Sequence, residues 1–274
     1  MNESTTDRAT STSKPKRMAK KLVFLVGLIT WSVLIGFGVL LVSTVKDARE
    51  AARNSQCQGN LNQLMMAFLN YHETYKCLPP AYIADADGKP MHSWRVLILP
   101  FLDGQDVYRQ YDFAEPWNGP NNLKLADKIN LYTFQCPTGP NLHTSLMTDY
   151  VVVVGPKTAF PGNQSTAFDD IQDGRENTLL LVEIANSNIH WMEPRDLNFN
   201  EMSFVVNDPQ RPSIASPHSC GPGVVFADAI AAYRLDQSLR PTTLEALTTI
   251  AGREPVIREK LLRHSEKCGR QLAE

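Results

Sequence analysis

Between Leu22 and Val45 the chain has no charged residue: "LVFLVGLITWSVLIGFGVLLVSTV" runs for 24 positions without one. At about 1.5 Å per residue this run spans roughly 36 Å, enough to cross a hydrocarbon core of about 30 Å. No polar stripe interrupts it, which argues against a buried core helix. It exceeds the about 7–15 apolar residues of a secretory signal, and no small-x-small cleavage site follows, which argues against a cleaved leader. Other absences narrow the chemistry. No C-x-x-C spacing occurs, so zinc ribbons and thioredoxin-like redox sites lack support. The five cysteines are an odd number, so at least one is unpaired within the chain. G-x-S-x-G, H-E-x-x-H and G-x-x-x-x-G-K-[ST] are all missing, which leaves hydrolase, zincin and nucleotidase readings without an anchor. A net charge of only -2 argues against a nucleic-acid binder. No repeat of about 20–50 residues is present.

What is present is asymmetric. Residues 1–21 carry six basic residues against Glu3 and Asp7, while residues 43–274 carry 21 basic and 27 acidic ones. Positive flanks stay on the cytoplasmic side, so the rest of the chain is expected outside the inner membrane. Ser32 and Gly36 form a small-xxx-small pair, a weak signal for close approach of two spans. The Ser- and Thr-rich residues 1–21 read as a disordered basic cytoplasmic tail.

After the apolar run no proline occurs from Lys46 to Lys76, and Pro79-Pro80 then forms a stop. Cys57, Leu61, Leu64, Met65, Phe68, Tyr71 and Tyr75 recur at helical steps, the mark of an amphipathic helix. One helix from the bilayer to about residue 76 is expected, roughly 80 Å long at about 1.5 Å per residue. Beyond Pro80, short runs rich in β-branched and aromatic residues alternate with Gly, Pro, Asn and Asp, and several read as strands. These runs include "SWRVLILPFL", "DYVVVVGPKTAF", "NTLLLVEIANSNIHWM" and "GVVFADAIAAYRLD". A hairpin is expected with Asn186-Ser187-Asn188 at its tip, and "PTTLEALTTIAG" has a Thr-x-x-Glu-like helix start. The expected divisions are a tail 1–21, a span 22–45, an extracytoplasmic domain 46–255 and a charged tail or surface helix 256–274. The fold class is α+β, a long N-terminal helix packed on an antiparallel sheet.

A membrane helix that continues as an amphipathic helix and then meets a sheet resembles the pilin and pseudopilin plan. "DAREAARNSQCQGNLNQLMMAFLNYHETY", "SWRVLILPFLDGQDVYRQYDF", "FQCPTGP", "IQDGRENTLLLVEIANSNIHWMEPRDL" and "HSCGPGVVFADA" are similar, in that order, to a bacterial prepilin-like family of unknown function, also labelled solute-binding-like. Its hallmark is His, nine residues, then Asp-Gly, and His218 and Asp228 have that spacing. The chain departs from the family twice. Gly27-Leu28-Ile29-Thr30-Trp31 lies inside the apolar run and lacks the glutamate of a prepilin cleavage signal. Ala229 stands where the motif has glycine, a costly exchange if the position is left-handed.

The resemblance implies a membrane-anchored structural or interaction protein of the cell envelope. Its partners would be the lipid bilayer and either itself or secretion and pseudopilus components, with no nucleic acid. It also points to a Cys57–Cys136 disulfide, both residues lying in family-like motifs, against the alternative of two buried thiols. Cys57 and Cys77 lie about 30 Å apart on one helix and cannot pair. No catalytic residue and no cofactor are expected. His218 and Asp228 read as a structural pair, since no cluster of His and Cys in the sequence supplies a transition metal's three or four ligands. "DADG" and "DDIQDGREN" resemble calcium loops in composition without the full ligand spacing, and calcium is the ion that the resemblance leaves to test. Glu183, Glu193 and Asp196 are the carboxylates a glycosidase would need, but an exposed strand position for Glu183 is the simpler expectation. His72 and His190 read as partly buried histidines beside aromatic rings. A second functional class is a tethered binding module for a glycan or small solute, resting on Trp94, Trp117, Trp191 and Tyr82.

Overall fold

The structure, a computed structural model, describes residues 14–126, 131–138, 146–254, 256, 258 and 261–263. The chain divides into two compact units, Met1–Arg49 and Glu50–Glu274. Helix α1 spans Lys14–Tyr75, so the tail expected to lack structure is helical from Lys14, and residues 1–13 lie outside the described ones. In the first unit the apolar side chains from Leu22 to Val45 are exposed. This is a helix long and apolar enough to cross a membrane.

The second unit is an α+β domain. In it α1 buries Cys57, Leu61, Leu64, Met65 and Phe68 of the stripe expected from the periodicity, whereas Tyr71 is half-buried and Tyr75, at the helix end, is exposed. The helix stops at Lys76, which takes a left-handed conformation (φ 61°) and donates its N–H to the His72 carbonyl at 2.8 Å. That single bond is the αL end of a helix, placed just before Pro79-Pro80. Strands β1 (Tyr82–Ala84) and β2 (Pro90–Ser93) form a small antiparallel pair. The apolar run that follows, expected as a strand, coils instead into α2 (Trp94–Leu97) and a 3-10 turn at Leu99–Phe101. Ser93 caps α2 by accepting the Arg95 N–H, which supplies the helix start that the apolar pattern alone did not show. Helices α3 (Gln105–Gln110) and α4 (Pro120–Ala126) follow.

The main sheet uses β3 (Tyr150–Val151), β5 (Leu179–Glu183), β7 (Gly223–Phe226), β8 (Ala232–Leu235) and β9 (Leu262–Arg263), in the order β3-β5-β7-β8-β9, antiparallel throughout. A separate parallel pair joins β4 (Val153–Val154) to β6 (Leu197–Asn198). Asn186 and Asn188 do take left-handed turns, yet no hairpin forms there. His190 bridges Met147, and β5 is already paired on both sides by β3 and β7. Helix α5 (Pro241–Thr248) begins at Pro241 after Arg240 rather than on a threonine cap. In the tail expected as a surface helix, Leu262–Arg263 is strand β9, and most of the remainder lies outside the described residues.

Both faces of the main sheet are covered, which is why its strands read as unbroken apolar runs rather than alternating ones. Tyr150, Leu181 and Val225 join the core that contains α1, whereas Val151, Val182, Val224 and Phe226 join a second core with Leu244 and Leu247 of α5. A register irregularity between Leu179 and Leu181 brings Leu180 and Leu181 into the same core. Arg95 is buried with Asp196, 2.6 Å from it, and also donates to the Tyr150 carbonyl at 3.0 Å. Asp196 further accepts from Trp94 Nε1 and the Val152 N–H, so α2 is locked to the sheet through groups that leave no open valence.

The contact between α1 and β7 is set by Gly223. A Cβ at this position would come 2.4 Å from Leu61 Cδ1 and 3.3 Å from both Glu183 Oε2 and Arg234 Nη1. Gly223→Ala should therefore destabilise the domain by about 1–3 kcal/mol through overpacking. Urea unfolding followed by tryptophan fluorescence measures this, and an unchanged midpoint would show that α1 does not approach β7 so closely.

Candidate functional site

Four chemically active side chains meet where α1 crosses the sheet. Cys57 comes from α1, Cys136 from the loop after the 3-10 turn Tyr132–Phe134, Glu183 from the end of β5 and His218 from the loop before β7. Their Sγ, Sγ, carboxylate and imidazole atoms all lie within 4.8 Å of one another, and all four residues are buried.

Each is positioned by local bonding. One turn along α1 from Cys57, Asn60 donates to the Gln135 carbonyl at 2.8 Å and so holds the segment that carries Cys136. The Cys136 N–H donates to Asp149 Oδ2 at 2.7 Å. The strand alternation that sends Leu181 toward α1 sends Glu183 there too. Glu183 Oε1 accepts from Ser216 Oγ, and Oε2 accepts from the Gly223 N–H and from Arg234 Nη1, each at 2.8 Å. The His218 N–H donates to Ser216 Oγ. On the ring, Nδ1 is 2.7 Å from Glu50 Oε1, while Nε2 is 2.9 Å from Thr138 Oγ1 and 3.3 Å from Cys136 Sγ. The carboxylate can only accept at pH 7, so Nδ1 carries a proton, and Nε2 is the ring atom that faces the two side chains. Tyr150 donates its hydroxyl to Cys57 Sγ at 3.1 Å.

The electrostatics favour one anionic sulfur. The hydrogen bond from Cys136 draws the Cys57 thiol below its ordinary range against the opposing effect of burial, with His218, Arg234 and Tyr150 assisting. The same hydrogen bond, together with burial, pushes Cys136 up. Burial raises Glu183 to about 7, and the nearby Cys57 adds to this while Arg234 opposes it. Burial disfavours the charged form of His218, but Cys57, Glu183 and Glu50 outweigh it and raise its pKa. Fully buried thiols of this kind are structural rather than exposed reactive nucleophiles.

The residues singled out from the sequence fall in several places. Cys57 and Cys136, the candidate disulfide pair, stand together as free thiols that are not joined. Cys77 is also free, and Cys220 is disulfide-bonded. His218 and Asp228 have separate partners: His218 joins the thiols, whereas Asp228 pairs with Arg258. Glu183 is not exposed but fully buried, because Arg234, Ser216 and the Gly223 N–H neutralise it. The three carboxylates considered for glycoside hydrolysis are engaged by three different arginines: Glu183 by Arg234, Glu193 by Arg195 and Asp196 by Arg95. The two calcium-like loops are turns. Asp85 accepts the Asp87 and Lys89 N–H groups, and Asp173 accepts those of Gly252 and Arg253. Asp169 pairs with Arg175, and Asp170 accepts the Ala167 N–H. Trp94 and Trp191 are core residues, Trp117 lies against His190, and His72 lies against Phe168.

Glu50, Tyr150, Ser216 and Arg234 were not singled out by the sequence. One signal for them was available: a glutamate inside "LLLVEI" and an arginine inside "AAYRLD" are opposite charges in two otherwise apolar strands, and such charges are buried only when paired.

The molecule is thus an α+β domain built on the later part of an apolar N-terminal helix, with a closed thiol–imidazole–carboxylate cluster beneath that helix. Residues 46–210 match the model of a family described as protein of unknown function (DUF1559). The match covers more than half of the chain, and the protein belongs to that family. Neither a curated protein nor a solved structure matches it. His218 and Asp228 lie beyond the matched residues.

Directly after Asp228, Ala229 has φ 52° and donates its N–H to the Phe226 carbonyl at 3.0 Å. A left-handed conformation costs alanine about 1–2 kcal/mol, partly offset by the entropy glycine loses on folding. Ala229→Gly is therefore expected to stabilise the domain by about 0.5–1 kcal/mol, read as a higher urea midpoint. A lower midpoint would mean the turn is not left-handed.

Proposed function

We propose that the protein is a single-pass, non-enzymatic envelope protein, with its N-terminus in the bacterial cytoplasm and a pilin- or pseudopilin-like domain outside the inner membrane. Its role is structural or interactive, through self-association or through a secretion or pseudopilus apparatus. The observation that carries this reading is helix α1, whose residues 22–45 expose only apolar and small side chains while residues 57–68 of the same helix bury their apolar face in an α+β domain. The basic residues before the apolar run support the orientation. Without the glutamate of a prepilin signal, the helix is a fixed anchor rather than a processed subunit. Mass spectrometry of the protein extracted from membranes should find the Met1 end intact, and protease added to spheroplasts should digest residues 46–274. A cleaved and methylated N-terminus would return the protein to the pilin pathway, and a domain soluble in the cytoplasm would end the proposal.

A groove favours a second reading, as a tethered binding module. Tyr82, Ile184, Ile189, Pro194, Met202 and Pro212 line it. Two of the three tryptophans that suggested a glycan site are in the core, so the groove would rely on Tyr82 alone among the aromatic candidates. Thermal shift of residues 46–274 with sugars, peptides and calcium is expected to show no stabilisation. A rise in Tm that Tyr82→Ala removes would favour the binding module instead.

A further inference from the structure

We propose that Cys57, Cys136, His218 and Glu183 form a closed structural site for a borderline transition-metal ion of the zinc class, which fastens α1 to the main sheet. Zinc takes four ligands from thiolate, imidazole and carboxylate, with bonds of about 2.3 Å to sulfur and about 2.0–2.1 Å to nitrogen. A tetrahedron of those bond lengths places its ligand atoms about 3.3–3.8 Å apart. The four groups already lie within 4.8 Å of one another, and Cys136 Sγ is 3.3 Å from His218 Nε2. Closing round an ion needs side-chain shifts of about an ångström or less, with the Thr138 hydroxyl released from Nε2.

Three further features fit a metal better than a plain core. First, Glu50 accepts the Nδ1 proton of His218, so Nε2 is the ring atom that faces Cys136 Sγ, and it binds an ion once its own proton is released. A carboxylate behind a histidine is the usual outer partner of a metal-bound imidazole. Second, Glu183 uses three of its roughly four acceptor positions on Ser216, Gly223 and Arg234, and the remaining one belongs to Oε1. Third, the charges balance. Two thiolates and one carboxylate meet a divalent ion and the Arg234 guanidinium, so no net charge is buried. A disulfide between the two cysteines would satisfy the sulfurs, but would use neither the histidine nor the oriented carboxylate behind it. Sulfur donors exclude calcium and magnesium, which take oxygen. With all four ligands supplied by protein and all buried, the ion would be taken up on folding and would have no open position for catalysis.

The test uses the full-length protein in detergent, reduced, stripped with a chelator and then titrated with zinc alone. One equivalent of zinc should bind, and alkylation of Cys57 and Cys136 in the folded protein should become at least tenfold slower. Cobalt in place of zinc should give the visible bands of a tetrahedral site and a near-ultraviolet sulfur-to-cobalt charge-transfer band. Cys136→Ser should remove that band's second sulfur contribution, and His218→Ala should abolish tight binding. Because those buried variants can fail to fold, Glu50→Gln on the partly exposed face of α1 supplies the second arm. It should fold normally and weaken zinc about 10–100-fold in competition with a chelator. The proposal is overturned by zinc binding that is absent or non-stoichiometric, by a Glu50→Gln affinity equal to wild type, or by peptide mapping that finds Cys57 joined to Cys136 in the protein as isolated from membranes.

Discussion

Leu61 of α1 lies over Gly223 of β7 at a distance that leaves no room for a methyl group, and the order of the domain follows from that approach. Because the helix comes so near, Cys57, one turn before Leu61, reaches the plane of Glu183 and Arg234. The same approach lets Tyr150 on β3 place its hydroxyl against the Cys57 sulfur, and lets Asn62 of α1 accept the Ala232 N–H from β8. A helix held an ångström or two farther away by a larger residue on β7 would bury much the same apolar area. It would not make these polar contacts. Hydrophobic burial therefore brings helix and sheet together, and the missing side chain at Gly223 fixes their separation.

Two buried arginine–carboxylate pairs then specify how the remaining segments attach. Arg95–Asp196 joins α2 to the strand region, and Arg234–Glu183 joins β8 to β5 across β7. Burying such pairs costs several kcal/mol per ion in lost hydration, so their net stabilisation is small. Their effect lies in what they forbid. A strand shifted by one residue would leave Glu183 or Arg234 inside an apolar core without its partner, which costs about 3–5 kcal/mol. In strands as uniformly apolar as "LLLVE" and "GVVF", hydrophobicity alone distinguishes registers poorly, and the charges supply the distinction.

The sequence showed clearly what periodicity carries. Helix α1, its buried stripe and its end before Pro79-Pro80 were all legible, because apolar residues three or four positions apart line up on one face of a helix and on no face of a strand. The α+β class and the strands β3, β5, β7 and β8 were legible from their β-branched composition between turn residues. What failed needed information from outside each segment. "SWRVLILPFL" has strand composition but is helical, because the Ser93 cap and the buried Arg95 decide its conformation. The turn at Asn186–Asn188 was visible, yet the absence of a return strand was not, since it depends on β5 already having neighbours on both sides. The cluster around Cys57 was the least legible part. Its members come from four segments with no shared motif, and His218 was matched to Asp228 by spacing when its partners are Glu50, Thr138 and Cys136.

Glu50 and His218 are 168 positions apart in the chain, and this separation has a consequence for biogenesis. Synthesis proceeds from the N-terminus, so α1 is made first and its apolar stripe waits uncovered while β5 and then β7 are produced. Transiently exposed apolar surface of this kind invites aggregation or capture by other chains. The contact between Glu50 and His218 closes only after about four-fifths of the polypeptide exists, judged by the position of His218 in the 274 residues. A chain released earlier would keep a sticky helix face, and the cell's quality control would have an unambiguous mark by which to recognise it.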